Sequence, residues 1–525
     1  MQSQGERTGA KPSLWERTTQ KFSTGPLTQD ITTEVCVIGA GIAGVTTAYL
    51  AARENRQVAL IDDGPIGSGM TGRTTAHLVN AIDDRYLDIE KFLGEECARL
   101  TAESHTAAID CAERIVREHN IDCDFERVDG YLFLPPGGSV TELMEEMEAI
   151  HRAGLTGVER VDSVPNTKIN SDAVLRFPRQ AQFHPLKFLN GVAEVMAGRG
   201  ARIFTGTRVV SVQDGDRVKV QTADGHTVTA HAAVVATNCP MNDRVVIPSK
   251  QAPYASYAIC LRVTRLIEHA LFWDTAQTAE QEKQEIGPVP YHYVRFARDE
   301  HGDVLIVGGE DHKTGQAEDC AERFAKLERW ARERFPFVGE ITDQWSGQVM
   351  EPVDGVAYIG RNPGDQKVYV VTGDSGNGIT HGILAGMLIN DLIAERENPW
   401  ARLYDPSRKT LQPRALADYI AENANVAAQF RDYVMAGSVK SVDEIKPNQG
   451  AVLRDGIKKT ATYRDKEGNL HAFSAVCPHL GCVVRWDSCE QTWDCPCHGS
   501  RFDALGRVVN GPAISDLERA EIPRS

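Results

Sequence analysis

Glu34-Val-Cys-Val-Ile-Gly39-Ala-Gly41-Ile-Ala-Gly44 is the stretch from which the rest of the chain is read. A near-continuous apolar run ending in glycine predicts a buried strand. Ile42 to Arg53, small and apolar on one face, predicts a helix, and Gln57-Val-Ala-Leu-Ile-Asp62 predicts the next strand. Together they make a βαβ unit of about 30 residues carrying G-x-G-x-x-G. The three glycines act differently. Gly39 permits the tight turn, Gly41 lets backbone amides reach a pyrophosphate, and Gly44 allows helix and strand to pack closely. The helix N-terminus then stabilises phosphate charge. Asp62 ends the second strand, where a carboxylate accepts from ribose hydroxyls and disfavours a 2′-phosphate. The motif establishes a dinucleotide site without choosing between FAD and NAD.

Working outward, 525 residues allow three or four folding units at roughly 150 residues each. With 42% apolar and 25% charged residues the composition is that of a globular protein. The net charge of −16 opposes nucleic acid and anionic membrane as partners. No run approaches the roughly 20 apolar residues of a membrane span, and Met1-Gln-Ser-Gln-Gly-Glu-Arg carries no secretory signal, so a cytoplasmic location is expected. Residues 1–33 read as a polar extension in which Ser13-Leu-Trp-Glu-Arg docks on the surface. Residues 34–410 read as an α/β Rossmann-type nucleotide-binding domain with an inserted antiparallel-sheet substrate domain, the latter over 80–180 and 245–345. Residues 411–433 read as a helical connector, and 434–525 as a small all-β domain.

Four separated segments, Gly67-Ser-Gly-Met-Thr-Gly-Arg-Thr-Thr-Ala-His77, Phe183-His-Pro-Leu-Lys-Phe-Leu-Asn190, Ala233-Val-Val-Ala-Thr-Asn238 and Val371-Thr-Gly-Asp-Ser-Gly-Asn-Gly-Ile-Thr-His381, resemble the D-amino acid oxidase and glycine oxidase family of FAD enzymes, in family order. The resemblance implies FAD as cofactor. It adds Ala43, Asp63, Thr71, Arg73, Thr74, Thr75, Val209 and Thr237 to Gly39, Gly41, Gly44 and Asp62 as FAD-binding positions. It also implies that Gly373, Gly376, Gly378, Ile379 and Thr380 bring amides and a helix N-terminus to the flavin, where negative charge develops on reduction. Substrates of that family are amines and amino acids. The pocket residues expected from the inserted sheet and its neighbours are Tyr254, Tyr257, Tyr291, Tyr293, Arg295, Glu351 and His381, with Arg295 a candidate bidentate clamp for a carboxylate. One departure stands out. Many members place an arginine before the Pro–Asp–Gly turn to hold a substrate carboxylate, whereas Gly347-Gln-Val-Met-Glu351-Pro-Val-Asp-Gly355 has none. Glu351 fits a cationic group instead.

Seven of the twelve cysteines, Cys36 to Cys320, are scattered singly and read as buried thiols; five fall between Cys477 and Cys497. Cys477-Pro-His479 and Cys495-Pro-Cys-His498 form C-x-H-x15-C-x-x-H, two thiolates and two imidazoles, which suits a Rieske [2Fe–2S] centre or a zinc ion. Cys477-Pro-His-Leu-Gly-Cys482 and Cys495-Pro-Cys-His-Gly-Ser500 closely resemble the two cluster loops of Rieske subunits from cytochrome bc complexes, and Asn510-Gly-Pro-Ala resembles their proline loop. The resemblance implies a cluster held by Cys477, His479, Cys495 and His498, with a disulfide between Cys482 and Cys497. Phe502 stands where those subunits carry a tyrosine hydroxyl. Cys489 reads as a bystander.

A flavin takes two electrons as a hydride, and a Rieske cluster passes them singly. Their fusion reads as a dehydrogenase that oxidises the C–H next to nitrogen of an amine or amino acid and delivers electrons to a one-electron acceptor such as a ferredoxin or a respiratory-chain component. Two alternatives are a reductase in which ferredoxin or NAD(P)H feeds the cluster, and a non-catalytic redox carrier or sensor. No second nucleotide fingerprint supports NAD(P)H.

Overall fold

The computed structural model describes residues 11–242, 246–275, 291–409, 413–433, 435, 437–456 and 458–522. Residues 1–10 of the N-terminal extension and 410–412 and 434 at the expected domain boundaries lie outside them.

The βαβ reading holds, with strand Val35–Ile38, helix Ile42–Arg53 and strand Val58–Ile61. These strands sit inside a six-stranded sheet ordered Tyr358–Arg361, Val368–Thr372, Ala232–Val235, Val35–Ile38, Val58–Ile61, Arg202–Phe204. All neighbours are parallel except the first pair. Its central strands are buried throughout, as a parallel sheet covered on both faces requires. Helix Gly378–Ile393 packs on helix Ile42–Arg53 at two glycines: a Cβ on Gly382 would lie 2.5 Å from Ile42 Cγ2, and one on Gly386 would lie 2.6 Å from Thr46 Cγ2. A larger residue at either point would push the pair apart. That contact brings two helix N-termini, beginning after Gly41 and Asn377, to the same end of the sheet.

The inserted sheet is larger than the sequence reading and not wholly antiparallel. Its strands run in the order Val338–Pro352, Gln251–Val263, Gly302–Lys313, His292–Asp299, Leu271–Asp274, Glu126–Phe133, Val174–Gln182, His77–Leu78. Leu271–Asp274 pairs in parallel with Glu126–Phe133, since residues 134–270 intervene and no hairpin joins the two. The N-terminal segment docks as expected. Helix Leu14–Thr18 is capped by Ser13, whose hydroxyl donates to Gly72 O at 2.5 Å, and Trp15 Nε1 donates to Thr74 O at 2.6 Å. The helix thus underpins the Gly67–Thr75 loop.

The C-terminal region is all β apart from short turns. A three-stranded sheet (Gln449–Asp455, Lys458–Arg464, Leu470–Ser474) and a four-stranded one (Arg485–Asp487, Thr492–Asp494, Arg501–Asp503, Val508–Asn510) enclose a core of Trp493, Phe502 and the buried cysteines. Helix Pro413–Gln429 precedes them, and its Val426 packs on that core.

Candidate active site and cluster loops

A cavity of about 310 Å³ opens where the parallel strands end against the inserted sheet. Ligands of open α/β sheets bind at that end of the strands. Gly39, Gly41, Ala43, Asp62, Asp63 and Thr71 line one region of it. Asp62 accepts from Ala40 N at 2.6 Å and from Gly64 N at 2.7 Å, which fixes its carboxylate at the strand end. Arg73, Thr74, Thr75, Val209 and Thr237 also line the cavity, as do Gly376, Gly378, Ile379 and His381. Gly44, Gly373 and Thr380 shape it from behind. A Cβ on Gly44 would lie 1.8 Å from Gly39 O, and Thr380 Oγ1 accepts from Val79 N at 3.0 Å.

The opposite wall is aromatic and acidic. Tyr257, Trp273, Tyr291 and Tyr293 face the cavity together with Asp83, Asp311, Glu351 and Asp374. Tyr291 donates to Asp83 Oδ2 at 2.6 Å, and Tyr293 shares a hydrogen bond with Ser256. Ser375 donates to Glu351 Oε2 at 2.9 Å and also to Asp84. Asp311 Oδ1 is buried with no hydrogen-bond partner. Burial pushes Asp83 and Asp374 up to about 6 and Asp84 and Asp311 up to about 7. Burial, and then the neighbouring Asp84, raises Glu351 well above the carboxylate range. The two histidines on the cavity are held neutral: burial lowers His77 to about 3 and His381 to about 4. Both lining arginines are engaged elsewhere, Arg73 with Glu490 at 2.8 Å and Arg208 with Asp516 at 2.9 Å.

Two expected pocket residues lie off the cavity. Arg295 follows Tyr293 along the same strand but passes beneath the end of the Gly67–Thr75 loop, donating to Ala76 O at 2.6 Å, Thr75 O at 3.2 Å and Phe183 O at 3.1 Å. It braces backbone and cannot clamp a substrate. Tyr254 lies three residues from Tyr257 on the same strand and so on its other face, and its hydroxyl donates to Glu422 of the connector helix at 3.2 Å. Asp83, Asp311 and Trp273 were missed because isolated acids and a lone tryptophan carry no local motif.

The C-terminal region reaches this cavity directly: Val508, Asn510, Gly511, Ala513 and Ile514 are part of its lining. Its two cysteine–histidine loops are each closed by backbone bonds, Cys477 N to Cys482 O at 2.8 Å and Cys495 N to Ser500 O at 2.8 Å. Cys477, His479, Cys495 and His498 are all buried, and the imidazole rings of His479 and His498 lie 5.0 Å apart. Cys482 and Cys497 form the expected disulfide. Cys489 is no bystander, nor is Cys320 a single thiol; the two are disulfide-bonded across 169 residues, joining the inserted domain's helix Cys320–Arg334 to the C-terminal region. Beside that bridge, Glu490 accepts from Arg73 Nη2 at 2.8 Å and from Ser346 Oγ at 2.7 Å, all three residues being buried.

Residues 34–392 match the family model of FAD-dependent oxidoreductases called DAO, and residues 435–521 match the Rieske [2Fe-2S] domain. This chain belongs to the DAO family. A putative Rieske 2Fe-2S iron-sulfur protein of Bacillus subtilis (strain 168) is 29% identical over 515 residues, covering 98% of each chain. The gamma-glutamylputrescine oxidoreductase of Escherichia coli (strain K12) is 27% identical over 392 residues, 72% of this chain and 88% of its own. The glycine oxidase of Geobacillus kaustophilus superposes with a TM-score of 0.57 at 17% identity, over 72% of this chain and 99% of its own, a likeness of fold. As a DAO-family oxidoreductase with a Rieske domain, the chain is an FAD and [2Fe–2S] enzyme, and its residues fit both groups. A Cβ on Gly39 would lie 2.4 Å from Ala236 O, so this turn of the dinucleotide cradle accepts only glycine. At the other site Cys477 and Cys495 are buried free thiols, and His498 Nδ1 is buried without a hydrogen-bond partner, a donor atom left for metal. Among the described residues no helix is long and apolar enough to cross a membrane.

Proposed function

We propose that the chain is a dehydrogenase for a cationic amine, in which bound FAD supplies hydride acceptance at the C–H next to nitrogen and the Rieske cluster supplies single-electron delivery to an external protein or quinone-linked acceptor. The acidic cavity wall carries this reading. Asp83, Asp311 and Glu351 line the cavity while Arg73 and Arg208 are paired away from it. A substrate carboxylate would meet Glu351 where many family members place an arginine, so an α-amino acid finds no cationic partner there. An ammonium or alkylammonium group is favoured by the same carboxylates and by the faces of Tyr257, Tyr293 and Trp273.

The chain's own contribution is binding, orientation and proton handling. The Asp83–Tyr291 and Ser256–Tyr293 pairs fix two acceptor directions before substrate arrives. Asp311 Oδ1 is positioned to accept the proton an alkylammonium must lose before its C–H can be oxidised. Neutral His77 and His381 add no positive charge against the substrate. Catalysis in such a site rests on holding the reacting C–H in place more than on a strong base.

The test is anaerobic and aerobic turnover with matched pairs, each an amine and the α-amino acid made by adding a carboxylate beside its nitrogen. The reading predicts bleaching of the visible flavin band by amines, at least about tenfold preference over the acids, and little hydrogen peroxide in air. A preference for the amino acid would overturn the cationic-amine reading. Fast peroxide release by protein lacking its cluster would overturn the dehydrogenase reading.

A further inference from the structure

Gln348 lies on strand Val338–Pro352, is 4% exposed and lines the FAD cavity. Its side chain crosses to the C-terminal domain, keeping one bond in its own, from Nε2 to Thr314 Oγ1 at 3.3 Å. Nε2 donates to Gly499 O at 2.9 Å, the carbonyl directly after the cluster ligand His498, and Oε1 accepts from Asn510 of the proline loop. Its backbone N lies 3.1 Å from Met70 Sδ, in the loop that lines the flavin side of the cavity. One buried amide therefore touches the cavity, a ligand loop and the loop that covers the cluster.

The approach is as close as the backbone allows. Gly499 has φ +77°, and a Cβ there would lie 2.5 Å from both Gln348 Nε2 and Pro253 Cβ. Other links between the domains hold different places. Arg73–Glu490, Arg208–Asp516 and Cys320–Cys489 bond no cluster-ligand loop. Gln316 does reach the second ligand loop, at Pro496 O, 3.0 Å away, but it does not line the cavity.

We propose that Gln348 is the positioning residue that sets the distance between flavin and cluster, and hence the rate at which electrons cross. This rests on the reading that the two groups exchange electrons. Oxidation of one amine to the imine delivers two electrons and a proton as hydride to FAD and releases the ammonium proton. The two electrons leave in two crossings past Gln348, each reducing one ferric ion of the cluster. An external one-electron acceptor takes each in turn, and the flavin's proton returns to solvent. A glutamine is suited to the post because it is neutral and satisfies a carbonyl and an amide at once. Its loss would leave both Gly499 O and Asn510 Nδ2 without that partner in a buried contact.

The test uses holoenzyme carrying both groups. The flavin is photoreduced without substrate, and cluster reduction is followed by visible absorption and EPR. In Gln348→Met, close in shape and unable to make any of these bonds, the crossing should slow roughly tenfold or more. The cluster's EPR signal should stay in place, and amide hydrogen exchange over residues 495–500 should rise. Asn510→Ala, which spares the bond to Gly499, should slow it less. An unchanged rate in both variants would overturn the proposal. Wild-type enzyme whose photoreduced flavin never reduces the cluster would overturn the dehydrogenase reading itself.

Discussion

At the scale of single residues the cavity is defined by its charge. Glu351→Gln should lower kcat/KM for the preferred amine about tenfold, the equivalent of roughly 1.4 kcal/mol for one hydrogen bond, with little loss of FAD. Steady-state kinetics alongside the flavin absorbance checks both parts. The same carboxylates predict a pH dependence. Burial lifts Asp83 to about 6 and Asp311 to about 7, so each carries full charge only above those values. Amine binding, read by titration of the flavin spectrum, should therefore tighten as pH rises through about 6–7. The sign for stability is opposite. The native carboxyls keep protons that unfolded ones, near 3.8, have released, so the empty cavity loses stability as pH rises from about 3.8, and the loss is complete once pH passes about 6–7. At the cluster, Phe502 is fully buried among the cysteines and offers no hydroxyl. Phe502→Tyr should raise the reduction potential by about 60 mV, the one-electron equivalent of about 1.4 kcal/mol, measured by EPR-monitored titration.

At the scale of elements, what was legible in the sequence was local. The glycines of Gly39–Gly44 and the ligand spacing of Cys477–His498 declare themselves because turn, helix start and metal loop are each built from neighbouring residues. Pocket residues on strands were harder. Tyr257 and Tyr293 reach the cavity, but Tyr254, an odd number of residues from Tyr257, points from the other face to the connector, and Arg295 lies far enough along its strand to end beneath backbone carbonyls. No motif could pair Cys320 with Cys489, since their meeting depends on how two domains dock. The turn that carries Cys489 and Glu490 is the clearest example. Its Glu490 is buried against Arg73 and Ser346, so Glu490→Ala leaves a buried guanidinium with only the more distant Glu16 carboxylate, 3.6 Å away. That change should cost about 3–5 kcal/mol, read as a fall in the urea midpoint, and should loosen the flavin loop from which Arg73 projects.

At the scale of the whole molecule, the Rieske domain forms part of the FAD cavity. Residues 508–511, 513 and 514 line it, a buried ion pair and a disulfide clamp the contact, and Gln348 joins the two sites. Cys489→Ser should lower stability by about 2–4 kcal/mol in a denaturation series while leaving the Cys482–Cys497 bridge and the cluster's EPR signal intact. Such docking makes sense for a molecule that turns a two-electron oxidation into two one-electron deliveries, and less for one whose cluster is only structural. The most direct measurement adds a cationic amine to anaerobic holoenzyme and records visible and EPR spectra on the same sample. The account predicts that the flavin bleaches first and the Rieske signal grows afterwards from the same electrons. Bleaching that leaves the cluster oxidised would contradict it.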